Sequence, residues 1–545
     1  MKNHTKKRGF LAGLGAMVAV AALALGGSAA TAAPLPMPQQ SGLVITKLEQ
    51  PATAGTAAPG TQQDVSAYTP IPDVEFEAYA VPVTGTPGTN TWLQNMANTT
   101  LAQAQTAIGG SPVAVRTGTT DANGVILWQT GEAGSQGDDL PWGLYLIRET
   151  DTPDDVVAAG DFLVAVPLTD PADRDEWLTD IFVYPKNATI DATKTVVNAA
   201  DLIVGNTVTW TIDTAIPQLR ANTGGSYIAT DAFEIHDTLQ DDELSLNETA
   251  PATGITVTAP AGLVKGATPG TGDYYVVTDT AVAGETTYQI VFTAAGRQKL
   301  ADALNNATGE RVTVTLDTKV LKAAVIANEA DVYPNQKSIT DSTPLTTDPV
   351  EVRYGAYQLN KKSSASPAPA SLAGAQFKVY SSKAAADASG TDNLRPEVTG
   401  TGYDPVTGVW TTDAGGVVSV AGLRYTDFAD GAVQTRYIDD GGTCADYAAG
   451  GDDCAPNPKY QSYWLVEVTA LGGHQLLAEP IEFVVNADSA TQLTQEIVNQ
   501  HNRNGFVLPL TGGMGTVILT IGGIAILAVV LIVARRRRSA ETSAE

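Results

Sequence analysis

Two stretches of this chain carry comparable residues in the same order, and that repeat limits what the chain can fold into. In the first stretch Leu43, Ile45 and Lys47 alternate along one face, and Val74-Glu75-Phe76-Glu77-Ala78-Tyr79 follows. Next come Thr119-Thr120-Asp121-Ala122-Asn123-Gly124, Tyr145-Leu146-Ile147-Arg148-Glu149 and Val183-Tyr184-Pro185-Lys186-Asn187. In the second stretch the counterparts are Tyr357, Leu359 and Lys361, then Ala375-Gln376-Phe377-Lys378-Val379-Tyr380. Thr411-Thr412-Asp413-Ala414-Gly415-Gly416, Tyr463-Trp464-Leu465-Val466-Glu467 and Ile497-Val498-Asn499 complete the match. Lys47 and Asn187 lie 140 positions apart, Lys361 and Asn499 138. Period-two alternation predicts strands. A repeated order of strands predicts two copies of one module with different insertions.

The segment between them follows the same logic with other residues. It opens on Ala192-Thr193-Lys194-Thr195-Val196, carries Asp237 in its middle and closes on Val325-Ile326-Ala327-Asn328. Runs such as Thr207-Val208-Thr209-Trp210-Thr211-Ile212 alternate, Gly, Pro and Asn punctuate the chain, and no long apolar pattern of period 3.6 is evident. The expected fold class is all-β, three tandem Ig-like β-sandwiches over 33–188, 189–349 and 350–505. The polar stretch Lys337 to Pro349 reads as a linker into the third module. A net charge of −27 argues against nucleic acid and anionic lipid as partners.

The two ends place the chain outside the cytoplasm. Lys2, Lys6, Lys7 and Arg8 precede an apolar Phe10–Leu25 stretch, and Ala30-Thr31-Ala32 is a small-residue cleavage site, so 1–32 reads as a secretory signal peptide. At the other end, 508–545, Leu508-Pro509-Leu510-Thr511-Gly512 precedes an apolar run from Val517 to Ala534 and four arginines, Arg535 to Arg538. That run is just long enough to span a hydrocarbon core as a helix, with the arginines on the cytoplasmic side. In a secreted chain the only two cysteines, Cys444 and Cys454, are expected as a disulfide across a Gly/Asp-rich loop. Two thiolates without a nearby His are too few for a metal site. No cofactor is expected.

Each module thus offers a Lys, a carboxylate and an Asn: Lys47, Glu149 and Asn187; Lys194, Asp237 and Asn328; Lys361, Glu467 and Asn499. A lysine buried among apolar side chains loses its charge, because desolvation disfavours the ammonium, and the free amine is a nucleophile. A buried carboxyl kept protonated can shuttle protons. Attack on the Asn carboxamide would expel ammonia and leave a Lys–Asn isopeptide, needing only the contact that folding supplies. Taken singly, each such Lys or acid reads as a solvated strand residue. The repeated order favours the chemical reading.

These residues resemble the Gram-positive, sortase-assembled pilins. LPLTG, span and arginines are similar to the cell-wall sorting signal of that family. Tyr463-x-Leu465-x-Glu467 resembles its E-box, and Leu359-x-Lys361 with Phe377-x-x-Tyr380 resembles the collagen-adhesin type of module. Lys194, Asp237 and Asn328 resemble the triad of the central pilin domain. Trp177 followed by Val183-Tyr184-Pro185-Lys186-Asn187 resembles the pilin motif. The resemblance implies a major shaft subunit, similar to the fimbrial shaft proteins of oral actinomycetes. A pilus sortase would cut between Thr511 and Gly512 and join Thr511 to Lys186 of an identical subunit. A housekeeping sortase, peptidoglycan and minor or tip pilins would be the other partners, and the pilus would support adhesion to a host or bacterial receptor that the residues do not name. Lys186 is expected to be exposed with a near-normal pKa, and Pro185 to keep that strand end from pairing regularly. A monomeric wall-anchored adhesin is the rival binding protein. A wall hydrolase is the rival enzyme, disfavoured because the four histidines show no Ser-His-Asp or metal-ligand spacing.

Overall fold

A computed structural model describes residues 40–501, apart from 52–57, 174–175, 221–225, 248–253, 308, 365–369, 440–453, 470 and 490–494. The signal peptide, the LPLTG pentapeptide, the apolar run 517–534 and Cys444 lie outside the described residues. Among the described residues no helix is long and apolar enough to cross a membrane.

The chain divides into two compact units. The larger comprises the described residues up to Asp201, with Gly205–Arg353 and Ala429–Val433. The smaller comprises Leu202–Val204, Tyr354–Phe428 and the described residues from Gln434 onward. The larger unit holds two sets of sheets. In the first set Gln40–Thr46 lies between Asp180–Val183 and Val125–Trp128, and a second sheet orders Arg116–Thr119, Glu75–Val81, Gly143–Asp151 and Phe162–Val166. Leu43, Ile45, Phe76, Ile126, Trp128 and Ile147 meet in an apolar core between them. In the second set Thr207–Ala215 and Arg311–Val320 centre one sheet, and Glu234–Gln240 and Glu285–Phe292 the other. Trp210, Ile212, Leu316, Ile235, Ile290 and Phe292 are fully buried there.

The smaller unit repeats the first set. Val350–Ser363 pairs antiparallel with Val417–Arg424 and parallel with Gln495–Asn499, as Gln40–Thr46 does with Val125–Trp128 and Asp180–Val183. Gln376–Tyr380 pairs with Tyr463–Thr469 as Glu75–Val81 does with Gly143–Asp151. Both pairs have a register shift at the same place, so that Phe76 sits opposite Glu149 and Phe377 opposite Glu467. First and last strands of each repeat therefore lie side by side.

Five short helices occur among the described residues where the sequence reading has none. Two, Asn90–Asn98 and Leu101–Ile108, are capped by Thr89 and Thr100, the second with a capping box from Gln103. Trp92, Met96 and Ala104 from them cover Tyr79, Val81, Leu144 and Leu146, the outer face of the Glu75–Val81 sheet. A strand buried on both faces loses clean alternation, which is why Leu144 and Leu146 are as apolar as Tyr145 and Ile147. The stretch expected as a linker is also structured. Gln336–Asp341 is helical, and Leu345–Thr346 pairs with Ala330–Tyr333, within the larger unit. The N-cap Asn335 accepts from Ser338 N at 2.8 Å, a cap that the polar composition concealed.

Candidate functional site: two matching lysine–acid–asparagine triads

The lysines are placed by the turn that leads into each first strand's antiparallel partner. Lys47 N donates to Gly124 O and Lys47 O accepts from Ile71 N, at 2.7 and 3.0 Å. Lys361 makes the same two bonds with Gly416 and Leu372, at 2.7 and 2.9 Å. Gly124 and Gly416 have φ of +72° and +74°, and a Cβ on either would lie 2.5 Å from the lysine carbonyl. Only glycine fits. Asp121 Oδ1 accepts from Asn123 N and Val125 N, and Asp413 Oδ1 from Gly415 N and Val417 N, which fixes both turns.

Both lysines are 0 % exposed. Lys47 Nζ donates to Glu149 Oε1 and, at 2.6 Å, to Asn187 Oδ1. Asn187 Nδ2 donates to Glu149 Oε2 at 2.7 Å. Lys361 Nζ donates to Asn499 Oδ1 at 2.5 Å and lies 3.5 Å from Glu467 Oε2. Asn499 Nδ2 donates to Glu467 Oε1 and Oε2 at 2.8 and 2.9 Å. A backbone N–H holds each acid from the far side: Ala159 N on Glu149 and Leu477 N on Glu467. Each ammonium also lies 5.5 Å from a phenyl ring, Phe76 or Phe377. Burial pulls the Lys47 pKa down to about 8 against the opposing pull of Glu149, and it lowers that of Lys361 in the same way. In each triad the carboxylate touches both the amine and the carboxamide nitrogen. It is therefore positioned to move a proton from the nucleophile to the leaving group.

The middle triad is only partly assembled. Lys194 Nζ, buried 5.5 Å from the Trp210 ring, donates to Asp237 Oδ2 at 2.5 Å and to Glu329 O at 2.9 Å. Its pKa too is lowered by burial. Asn328 is buried, yet among the described residues neither atom of its carboxamide has a hydrogen-bond partner, and Asp237 Oδ1 has none either. Its strand pairs with Val350–Arg353 and not with the strand of Lys194. Each unmatched buried polar group costs about 1–3 kcal/mol.

Lys186 is half-buried, with its pKa lowered by burial, which corrects the expectation of an exposed, ordinary lysine. Its Nζ donates to Tyr184 O at 3.2 Å and lies 5.7 Å from the Tyr68 ring. The strand end also pairs: Lys186 is in parallel register with Leu48, and Asn187 with Glu49, so Pro185 does not prevent pairing beyond it. Cys454 is disulfide-bonded. The sequence reading missed Ser363 Oγ, 2.7 Å from His474 Nε2. Among the described residues His474 Nδ1 has no hydrogen-bond partner.

A family model for the N-terminal domain D1 of the Gram-positive pilin subunit matches residues 39–188, and one for the LPXTG cell-wall anchor motif matches 501–541. Fimbrial subunit type 1 of Actinomyces viscosus is 30% identical over 527 residues, covering 91% of this chain and 90% of that protein. Fimbrial subunit type 2 of Actinomyces naeslundii is 26% identical over 425 residues, covering 73% and 70%. Among solved structures, the full-length major pilin SpaD of Corynebacterium diphtheriae superposes with a TM-score of 0.55 at 22% identity, covering 85% of this chain and 98% of that one. The major pilin SpaA of the same organism gives 0.53 at 19%, covering 85% and 100%. Those two likenesses concern the fold. The level and span of identity to the fimbrial subunits, with the anchor motif in place, establish that the chain belongs to the Gram-positive, LPXTG-anchored pilin family, as a cell-wall-anchored structural subunit of a pilus shaft and not an enzyme.

Proposed function

We propose that this subunit is a three-module shaft element, 33–188, 189–349 and 350–505, joined head to tail by a sortase between Thr511 and Lys186 and braced internally by Lys–Asn isopeptides. The observation that carries the bracing is the closed hydrogen-bond ring of Lys47, Glu149 and Asn187 and its counterpart at Lys361, Glu467 and Asn499. In each, the lysine Nζ attacks Asn Cγ, the C–N bond to Nδ2 breaks, and the acid passes a lysine proton to the departing ammonia. Lys194–Asn328 is the third candidate; such a bond would replace Asn328 Nδ2, which has no partner among the described residues, with the lysine nitrogen.

In the assembly step the pilus sortase holds Thr511 as a thioester and Lys186 of the next subunit attacks it. The head-to-tail joint does not close on itself, so the product is an open filament. Minor or tip pilins and, at the base, a housekeeping sortase and peptidoglycan are the remaining partners in this reading. Cys454 pairs with Cys444, the one other cysteine of the sequence. Intact-mass measurement of the secreted subunit tests the bracing: each bond removes one ammonia, about 17 Da by that stoichiometry. A plain sequence mass would contradict it.

A further inference from the structure

In this reading Lys186 is the lysine whose amine must reach an enzyme-bound acyl group, yet it is half-buried. It opens a strand directly after Pro185, and Leu48 N donates to Pro185 O at 3.1 Å on the partner strand. The carbonyl before the proline, Tyr184 O, accepts from Lys186 Nζ at 3.2 Å. The Tyr184 hydroxyl accepts from Gln63 N at 2.6 Å, which ties this corner to the segment leading to Tyr68. Tyr68 is itself held by its own backbone and by the two residues after it: Tyr68 N donates to Val65 O, Glu49 N to Thr69 O, and Pro70 bridges to Leu48. Its ring is therefore set by the same strand that pairs with Lys186. The ring lies 5.7 Å from the Lys186 ammonium, within the range of a cation–π contact.

We infer that Tyr68 is a positioning residue for pilus polymerisation, its aromatic face and the Tyr184 carbonyl holding the Lys186 amine in one orientation for acyl transfer. The inference rests on Lys186 as the assembly nucleophile. In the step itself Lys186 Nζ bonds to the Thr511 carbonyl carbon, and the C–S bond to the sortase cysteine breaks. The sulfur leaves with the electron pair, and the surplus proton of the nitrogen passes to a base of the enzyme. A lysine has four rotatable methylene bonds, and freezing them costs entropy at each attack unless the protein has already done so. Burial lowers the Lys186 pKa, the direction that favours the free amine.

The test uses the full chain expressed with its sortase, comparing SDS-resistant ladders and the pH dependence of Lys186 acylation by mass spectrometry. Tyr68→Phe keeps the face and is expected to polymerise within about twofold of the native chain. Tyr68→Leu keeps the apolar bulk and the fold, and is expected to slow ladder growth by roughly tenfold, because the amine is no longer held in one orientation. Tyr68→Ala is expected to do the same and also to move Lys186 acylation to higher pH. Native rates in Tyr68→Leu and Tyr68→Ala would overturn the inference while leaving Lys186 in place. A ladder from Lys186→Arg would instead remove the lysine assignment, and the role of Tyr68 with it.

Discussion

Lys186 and Asn187 are consecutive residues on one strand, and they meet opposite surroundings. The Asn187 carboxamide is buried against Glu149 and Lys47, whereas Lys186 reaches outward to Tyr68 and Tyr184. Strand geometry enforces this, since successive side chains point to opposite faces. The proposed internal bond and the proposed bond between subunits therefore begin one residue apart, so tension entering at Lys186 would pass into the first strand through Lys47.

The first prediction concerns the two closed triads. Glu149→Gln and Glu467→Gln should each abolish one ammonia loss, because the amide cannot carry the proton. On a chain-entropy scale a cross-link closing about 140 residues is worth about 5 kcal/mol. For a module of some 150 residues this corresponds to a melting temperature lower by about 10–20 °C. Calorimetry and intact mass on the same samples check this. Retention of the loss in either variant would remove the acid from the reaction. The middle triad is expected to react more slowly, since the Asn328 carboxamide is not hydrogen-bonded to Lys194 or Asp237.

The second concerns pH. Lys47 has a folded pKa of about 8 against 10.5 ordinarily. In an Asn187→Ala variant, which cannot form the bond, the unfolded chain binds more protons than the native one between these values. Stability should then rise with pH from about 8 to 10.5, and the penalty should be fully present below 8. In the native sequence, ammonia loss on refolding should accelerate up to about pH 8 and level off above it. Time-resolved mass spectra between pH 6 and 10 measure both limbs; a flat profile would mean that amine deprotonation does not limit the step.

Much of this was legible in the sequence because it depends on short-range rules. Period-two alternation located Lys47, Glu149, Lys361 and Glu467 on inward faces, and the segments 119–124 and 411–416 recur at matching places in the two copies. The helices at 90–108 were not legible, because they are short, cover the back of a sheet and are specified by Thr caps and not by a long apolar stripe. The seating of Lys186 was hidden too. It depends on Tyr68, which is 118 positions away in the chain.

The third prediction is that Cys444 and Cys454 resist alkylation in the native secreted protein without reductant. The loop they would close is short, so removing both should cost at most roughly 2–3 kcal/mol. Labelling of both thiols would contradict the pairing.

The fourth is that Thr511→Ala leaves the subunit uncleaved, held in the membrane by the apolar run Val517 to Ala534. Membrane and wall fractions probed with an antibody to the subunit distinguish the outcomes. Normal release of the variant to the wall would mean that cleavage does not use this pentapeptide.

The most direct measurement is tandem mass spectrometry of proteolysed, purified pili, searching for the branched peptide at the joint between subunits. Assembly as proposed predicts one dominant species, in which the Thr511 carbonyl is bonded to Nζ of Lys186 with loss of everything from Gly512 onward. Thr511 found on a different lysine, or on no lysine of a second subunit, would contradict it.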